Sequence, residues 1–441
     1  YPDQDDHDEE WELRINPTDP REPPKIITVD PSAFNSPRDF REEIKGQSGS
    51  MRFDALKGHQ TVDALKTLVN AQEAPRRKAY SRIKLIHEGV DEPRLVTPEG
   101  TLGPDGWVDE PEHVWGDMGE GDVIDKWELN PDLGDVDDEA ARKAAELLPQ
   151  TRVHERFLPV LGYVFASTFR APITETSATA TDKWNHIQGF GDTGAGKSSS
   201  GEKLWEFIGM RGELIKSKMT PHSSLVTLSS TNAVPLLLDE YKPAEWRDYK
   251  RDAFHEHMRD ASTGSTTSKT WNYPLQKTYH LSSSVALFGE GRFPDDANAL
   301  ARRTIETTMS QRATTPDTPM YKAFKELATT LAADGEKATL HHALAWWSFA
   351  LGRVGDKLSL IEEWNEAREW ALEEMERRGH DLGEVLDRDM YRQAIQTITF
   401  GVRVWRSFAE DVLDADPEAL PTDEEIGDAI EYVTMRKNDE T

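Results

Sequence analysis

The feature that most constrains this chain is the stretch GFGDTGAGKSSS, from Gly189 to Ser200. Within it Gly191, four further residues, Gly196, Lys197 and Ser198 satisfy the pattern G-x-x-x-x-G-K-[ST], and Gly189 and Gly194 keep two more side chains out of the curve. Each residue type answers a need of a bound phosphate. A glycine-rich backbone lets the N–H groups of Asp192, Thr193, Gly194, Ala195 and Gly196 wrap anionic oxygens. Lys197 can reach the β and γ oxygens, and Ser198, followed by Ser199 in the same turn, can coordinate Mg²⁺. A short β-like run, Trp184 to Ile187, comes before the loop, and Leu204, Phe207 and Ile208 form an apolar helical face after it. The stretch therefore implies a nucleoside triphosphate site at a strand–loop–helix junction. The absence of an N-K-x-D guanine motif favours ATP, so ATP and Mg²⁺ are the expected ligands.

A second element follows about forty residues on. VPLLLDE, Val234 to Glu240, is an apolar run ending in two acids, the form of a buried parallel strand with carboxylates at its C-terminal edge. This is a Walker B pattern. Asp239 would hold the metal through water, and Glu240 would orient or deprotonate the attacking water. A third strand, Ser284 to Phe288, leads into GEGRFPDDANALARRTIE. The expected fold class is therefore α/β: a P-loop NTPase core (AAA+-like) of three layers around a parallel sheet, with a mixed α+β region before it and a helical region after it.

Taken in order, GDTGAGKSS, VPLLLDEY and ALFGEGRFPDDANALARR resemble the P-loop ATPase module of viral, phage and plasmid primase-helicases, relatives of the superfamily-3 helicases and of a helicase-like family of mobile elements. The resemblance covers about residues 150–310 and implies an ATP-driven DNA helicase or translocase that works as a homo-oligomeric ring on single-stranded DNA. It also implies a polar γ-phosphate sensor at the end of the third strand. Superfamily-3 enzymes place an asparagine there, where this chain has Gly289 and Glu290. An arginine acting across a subunit boundary would come from Arg302 or Arg303, for which a helix-end salt bridge is an equal alternative. The interval STGSTTSKTWNYPLQKTYH corresponds to a DNA-gripping hairpin, with Lys269 and Lys277 for phosphates and Trp271 for stacking. A plain hairpin using Trp271 and Tyr273 for cross-strand packing fits the same residues.

Composition narrows the setting. The 441 residues carry 81 acids against 52 bases, a net charge of −29, and the acids are spread along the whole chain. Such a surface is expected in a salt-loaded cytoplasm, as in a haloarchaeal cell, where a Debye length of about 3 Å at 1 M removes self-repulsion; an acidic mesophilic protein is the alternative. Cys is absent, which removes thiolate metal sites and cysteine nucleophiles and agrees with a reducing cytoplasm. No apolar run approaches the roughly 20 residues of a membrane span. The start at Tyr1, with the polar opening YPDQDDHDEE, suggests a piece of a longer protein.

Four segments are expected: an acidic, extended 1–50; a small α+β accessory region, 51–135, with a helix near 54–72 and the basic cluster PRRKAYSRIK; the ATPase core, 136–315; and a helical region, 316–441, packed through its tryptophans. The pairs His255/His257 and His341/His342 lack zinc-site spacing and are expected on helix surfaces. Two other functions share the motifs: a packaging-type DNA translocase, for which no nuclease carboxylate cluster follows, and a nucleotide-gated assembly module without DNA translocation.

Overall fold

The computed structural model describes residues 11–15, 25–29, 77–116, 123–129, 136–176, 183–272, 275–294, 298–330, 337–380 and 388–438. The helix expected near 54–72 lies outside them. The chain divides into two compact units, 1–81 with 109–119, and 82–108 with 120–441. In the first, Trp11–Ile15 pairs antiparallel with Lys25–Val29, and Lys78–Tyr80 pairs parallel with His113–Trp115.

The second unit opens with an antiparallel meander of β1 (Lys84–Ile86), β2 (Arg94–Thr97), β3 (Gly100–Gly103) and β4 (Gly106–Trp107). Two helices follow, α1 (Asp138–Gln150) and α2 (His154–Ser167). The Asp137 side chain caps α1 by accepting from the Ala140 N–H, satisfying one of the orphan donors of a helix start. Phe157 to Ser167 is buried without a break, so α2 has no solvent face in its last three turns.

Next come β5 (His186–Phe190), α3 (Lys197–Glu206), β6 (Ile215–Lys216), α4 (Pro221–Ser229), β7 (Leu236–Tyr241), α5 (Asp248–Thr263), the hairpin β8 (Thr266–Asn272) and β9 (Leu275–His280), β10 (Val285–Gly289) and β11 (Thr304–Thr308). Five of these strands form one parallel sheet in the order β6-β7-β10-β5-β11. β5 and β10 are buried at every position, as strands covered on both faces must be. The two polar side chains of β5 each make one bond: His186 Nε2 with the Met258 carbonyl at 2.8 Å, and Gln188 Nε2 donating to the Gly291 carbonyl at 2.7 Å. The four histidines expected on helix surfaces are buried instead. His255 meets the Tyr241 hydroxyl, His257 the Ser224 hydroxyl, His341 accepts from the Asp137 N–H, and His342 lies between Phe207 O and Trp405 Nε1. Imidazole has an apolar ring and two polar nitrogens, so a helix can bury it wherever a partner awaits.

The chain ends in α6 (Pro319–Thr329), α7 (Ala338–Gly355), α8 (Lys357–Arg377), α9 (Arg388–Asp411) and α10 (Asp423–Asn438). Their core is aromatic. Trp346, Trp347, Trp364 and Trp405 are fully buried, with Phe165 of α2 stacked on Trp405 and edge-on to Trp346. No helix among the described residues is long and apolar enough to cross a membrane.

At the end of α8 the buried Glu374 receives Arg377 Nη2 and Nε at 2.6 and 2.7 Å and Arg378 Nε at 2.6 Å, and Arg378 also bonds Asp428 and Glu431 of α10. Arg377 first, then Arg378, hold the Glu374 carboxyl down from 4.5 to about 2. A depressed folded-state pKa gives stability that is complete above 4.5 and lost as pH falls toward 2. Glu374→Gln is expected to cost about 2 kcal/mol at neutral pH and to flatten the acid limb of urea-midpoint against pH. An unchanged acid limb would show that this cluster does not hold α8 to α10.

Candidate functional site

The carboxyl edge of the central sheet gathers most of the residues singled out in the sequence. β5 ends at Phe190, the loop Gly191–Gly196 curls over the strand ends, and α3 begins at Lys197. The curl passes through left-handed backbone at Gly194 (φ +83°) and Gly196 (φ +77°), which L side chains rarely adopt. The N-terminus of α3 thus opens directly into the loop, where free N–H groups and the positive end of the helix dipole favour an anion. The loop is braced from outside by Arg152 Nε, which donates to Ser200 Oγ at 2.7 Å, and by Thr314 Oγ1, which donates to the Gly194 carbonyl at 2.9 Å. Burial pushes the Arg152 guanidinium down to about 10.

Lys197 lies across the mouth of the loop, its Nζ donating to the Gly191 and Asp192 carbonyls at 2.8 Å each. Desolvation lowers its pKa, opposed by the charges of Glu290, Asp239 and Asp192. Ser198 Oγ donates to Asp239 Oδ2 at 2.5 Å, joining the first turn of α3 to β7 across 41 residues of chain. Thr193 Oγ1 donates to Glu290 Oε1 at 2.6 Å, and Lys242 Nζ stands 3.1 Å from Glu290 Oε2. The Thr193 and Lys242 hydrogen bonds hold the Glu290 carboxyl below its ordinary value. An ionised Glu290 accepts hydrogen bonds and donates none.

The acids of β7 are set by a bulge. Leu238 pairs with Leu287 and Tyr241 with Gly289, so Asp239 and Glu240 together oppose one residue of β10. Glu240 takes up the irregularity at φ +57°, a conformation that costs a non-glycine residue roughly 1–3 kcal/mol. The bulge separates the two carboxylates: Asp239 meets Ser198, while Glu240 is exposed and 3.2 Å from Lys216 Nζ.

Arg302 and Arg303 stand elsewhere. β11 runs parallel to β5 with Thr304 opposite His186, so both arginines precede the edge of the sheet remote from the loop, roughly 16 Å away along the strand at about 3.3 Å per residue. Arg303 Nη1 donates to the Ala299 carbonyl at 2.6 Å, at the end of the short helix Asn298–Ala301, whereas Arg302 is exposed. In the hairpin, the register sets Lys269 directly opposite Lys277. The side chains of Lys269, Trp271 and Lys277 lie outside the described residues.

The fold adds residues that the motifs did not indicate. A cleft of about 450 Å³ beside the loop is lined by Asp192, Thr193 and Glu290, and also by Arg156 of α2 and Thr308 of β11. Arg292 lies over the Phe190 ring at 4.5 Å. Arg152 and Arg156 belong to TRVHERF, which has no motif spacing, so only the packing of α2 against β5 and β11 brings them here.

Fold and site together define a mixed α/β protein with a five-stranded parallel sheet, a glycine loop at its carboxyl edge and a helical C-terminal part. No protein-family profile matches the chain, and no curated protein matches it. Among solved structures it is similar to one titled SCCmec type IV Cch, active helicase, with a TM-score of 0.56 and 13% identity, covering 93% of this chain and 71% of that one. A JCV helicase crystallised with a small molecule matches at a TM-score of 0.31 and 14% identity, covering 51% of this chain and 61% of that one. The first similarity shows a fold shared with a helicase structure.

Proposed function

We propose that this chain is an ATP-hydrolysing motor that moves on DNA, a helicase or translocase of the kind used by viral and plasmid replication modules, working as a homo-oligomeric ring. The observation that carries the reading is the hydrogen bond between Ser198 and Asp239 at the mouth of the glycine loop. A hydroxyl and a carboxylate side by side form an all-oxygen donor set. That set suits Mg²⁺, which keeps several waters and takes further ligands from phosphates. Bound there with ATP, Mg²⁺ would neutralise charge on the β and γ phosphates.

The remaining steps fall to the chain itself. The N–H groups of Gly191–Gly196 cradle the phosphates, and Lys197 leaves two carbonyls for the β and γ oxygens. Glu240, once free of Lys216, takes the proton of the attacking water. Arg302 is the better of the two arginines for action on a neighbouring subunit, being exposed and remote from its own loop, while Arg303 closes a helix. Lys269 and Lys277, opposite each other in the β8–β9 register, are the residues proposed to meet a phosphate backbone. Fold similarity to a solved helicase over most of the chain supports the same reading.

The test is ATP hydrolysis in molar salt, with and without single-stranded DNA, for the parent and Lys197→Ala. Expected are stimulation by DNA in the parent and loss of hydrolysis in the variant. Lysine-dependent hydrolysis indifferent to DNA would turn the reading to a nucleotide-gated assembly module.

A further inference from the structure

Arg156 lines the cleft with a side chain held only by weak partners. The cleft, about 450 Å³, is lined by Arg156, Thr308 and Met309 together with Asp192, Thr193 and Glu290. The Arg156 Nε is buried and makes no hydrogen bond. Two weak partners hold the guanidinium: Glu155 at 3.5 Å, both side chains being about a third or more exposed, and the Tyr432 ring, 5.5 Å from centroid to Cζ. An exposed ion pair and a cation–π contact are each worth on the order of 1 kcal/mol or less, so a phosphate offering charge-assisted bonds outcompetes them. The backbone of Arg156 does not share this freedom, because Thr307 Oγ1 donates to its carbonyl at 2.8 Å.

Tyr432 belongs to α10, and its hydroxyl also bonds Thr308 Oγ1 at the rim of the cleft. A second tie joins α2 and α10, between His154 and Glu425. One residue of the cleft wall thus holds both the space beside the loop and the last helix of the chain.

We propose that Arg156 reads the terminal phosphate of the bound nucleotide, leaving Tyr432 when the triphosphate is present and so loosening α10 from α2. This rests on the reading that the glycine loop binds a nucleoside triphosphate. It adds an arginine of the same chain, on the helix before the loop, and an output through the C-terminal helix.

Binding of Mg–ATPγS and Mg–ADP, measured by calorimetry on the full chain for the parent, Arg156→Ala, Arg156→Lys and Lys197→Ala, tests it. Arg156→Ala should weaken ATPγS by roughly ten- to a hundredfold and leave ADP unchanged, with partial recovery in Arg156→Lys. Amide exchange over residues 423–433 should rise when ATPγS binds the parent and stay constant in Arg156→Ala. Equal affinities of the parent and Arg156→Ala for ATPγS, or equal loss of both nucleotides, would overturn the role of Arg156 while the loop reading stood. A folded parent that bound neither nucleotide, indistinguishable from Lys197→Ala, would overturn the loop reading and this inference with it.

Discussion

Glu240→Gln is expected to keep nucleotide binding and lose about 10²–10⁴-fold in turnover, the contribution of a positioned general base. The amide has the size of the carboxylate but cannot take a proton from water. Binding should survive because the groups that would hold the phosphates, the loop N–H groups and Lys197, do not touch Glu240. The backbone adds a second, independent readout. Glu240 sits at φ +57° in the bulge of β7. Glu240→Gly should be as inactive as the glutamine variant yet fold at least as stably as the parent, because relief of roughly 1 kcal/mol of strain offsets the entropy cost of glycine. Strain kept where the side chain is exposed points to a demand other than packing. Hydrolysis within threefold of the parent (a limit of about 0.7 kcal/mol on the barrier) in Glu240→Gln would remove Glu240 from the chemistry.

The largest effect on stability is expected at a helix crossing. Gly401 of α9 lies against Gly162 of α2, and a Cβ there would stand 1.8 Å from the Gly162 carbonyl oxygen. A Cβ on Gly162 would likewise lie 2.5 Å from the Ile398 carbonyl oxygen. These obstacles are backbone atoms and cannot turn away as a side chain would. Gly401→Ala must therefore push the helices apart and open the aromatic core around Phe165 and Trp405, at an expected cost of about 3–5 kcal/mol. Gly352 of α7 supplies the control, since nothing lies within 4 Å of its added Cβ. There the same substitution should stabilise by about 1 kcal/mol through helix propensity alone. Urea unfolding of both variants gives the comparison, and a Gly401→Ala variant as stable as the parent would show that α2 and α9 do not meet through their backbones.

The two glycines show why part of this molecule cannot be read along the chain. In sequence, Gly162 and Gly401 are single glycines within helical patterns and carry a penalty. Their value appears only when residues 239 positions apart are superposed. The loop at Gly191–Gly196 is the opposite case: its glycines, Lys197 and Ser198 are contiguous, so their spacing is their geometry. The acids of β7 fall between. An apolar run ending in Asp239 and Glu240 announces a strand with carboxylates at its edge, but the bulge that gives one to Ser198 and the other to Lys216 depends on pairing with β10.

By itself, the amino-acid sequence determined the features set by local spacing: a strand, a glycine loop and a helix in succession, a second apolar strand ending in acids, amphipathic helices after residue 319, and an acidic surface. Tertiary structure alone decided that β10 lies between β5 and β7, that Arg302 and Arg303 stand at the far edge of the sheet, that four histidines are buried, and that Arg156 faces the loop. Periodicity and backbone conformation act over a few residues and leave a pattern in the chain. Packing joins residues whose separation in sequence has no fixed relation to their separation in space.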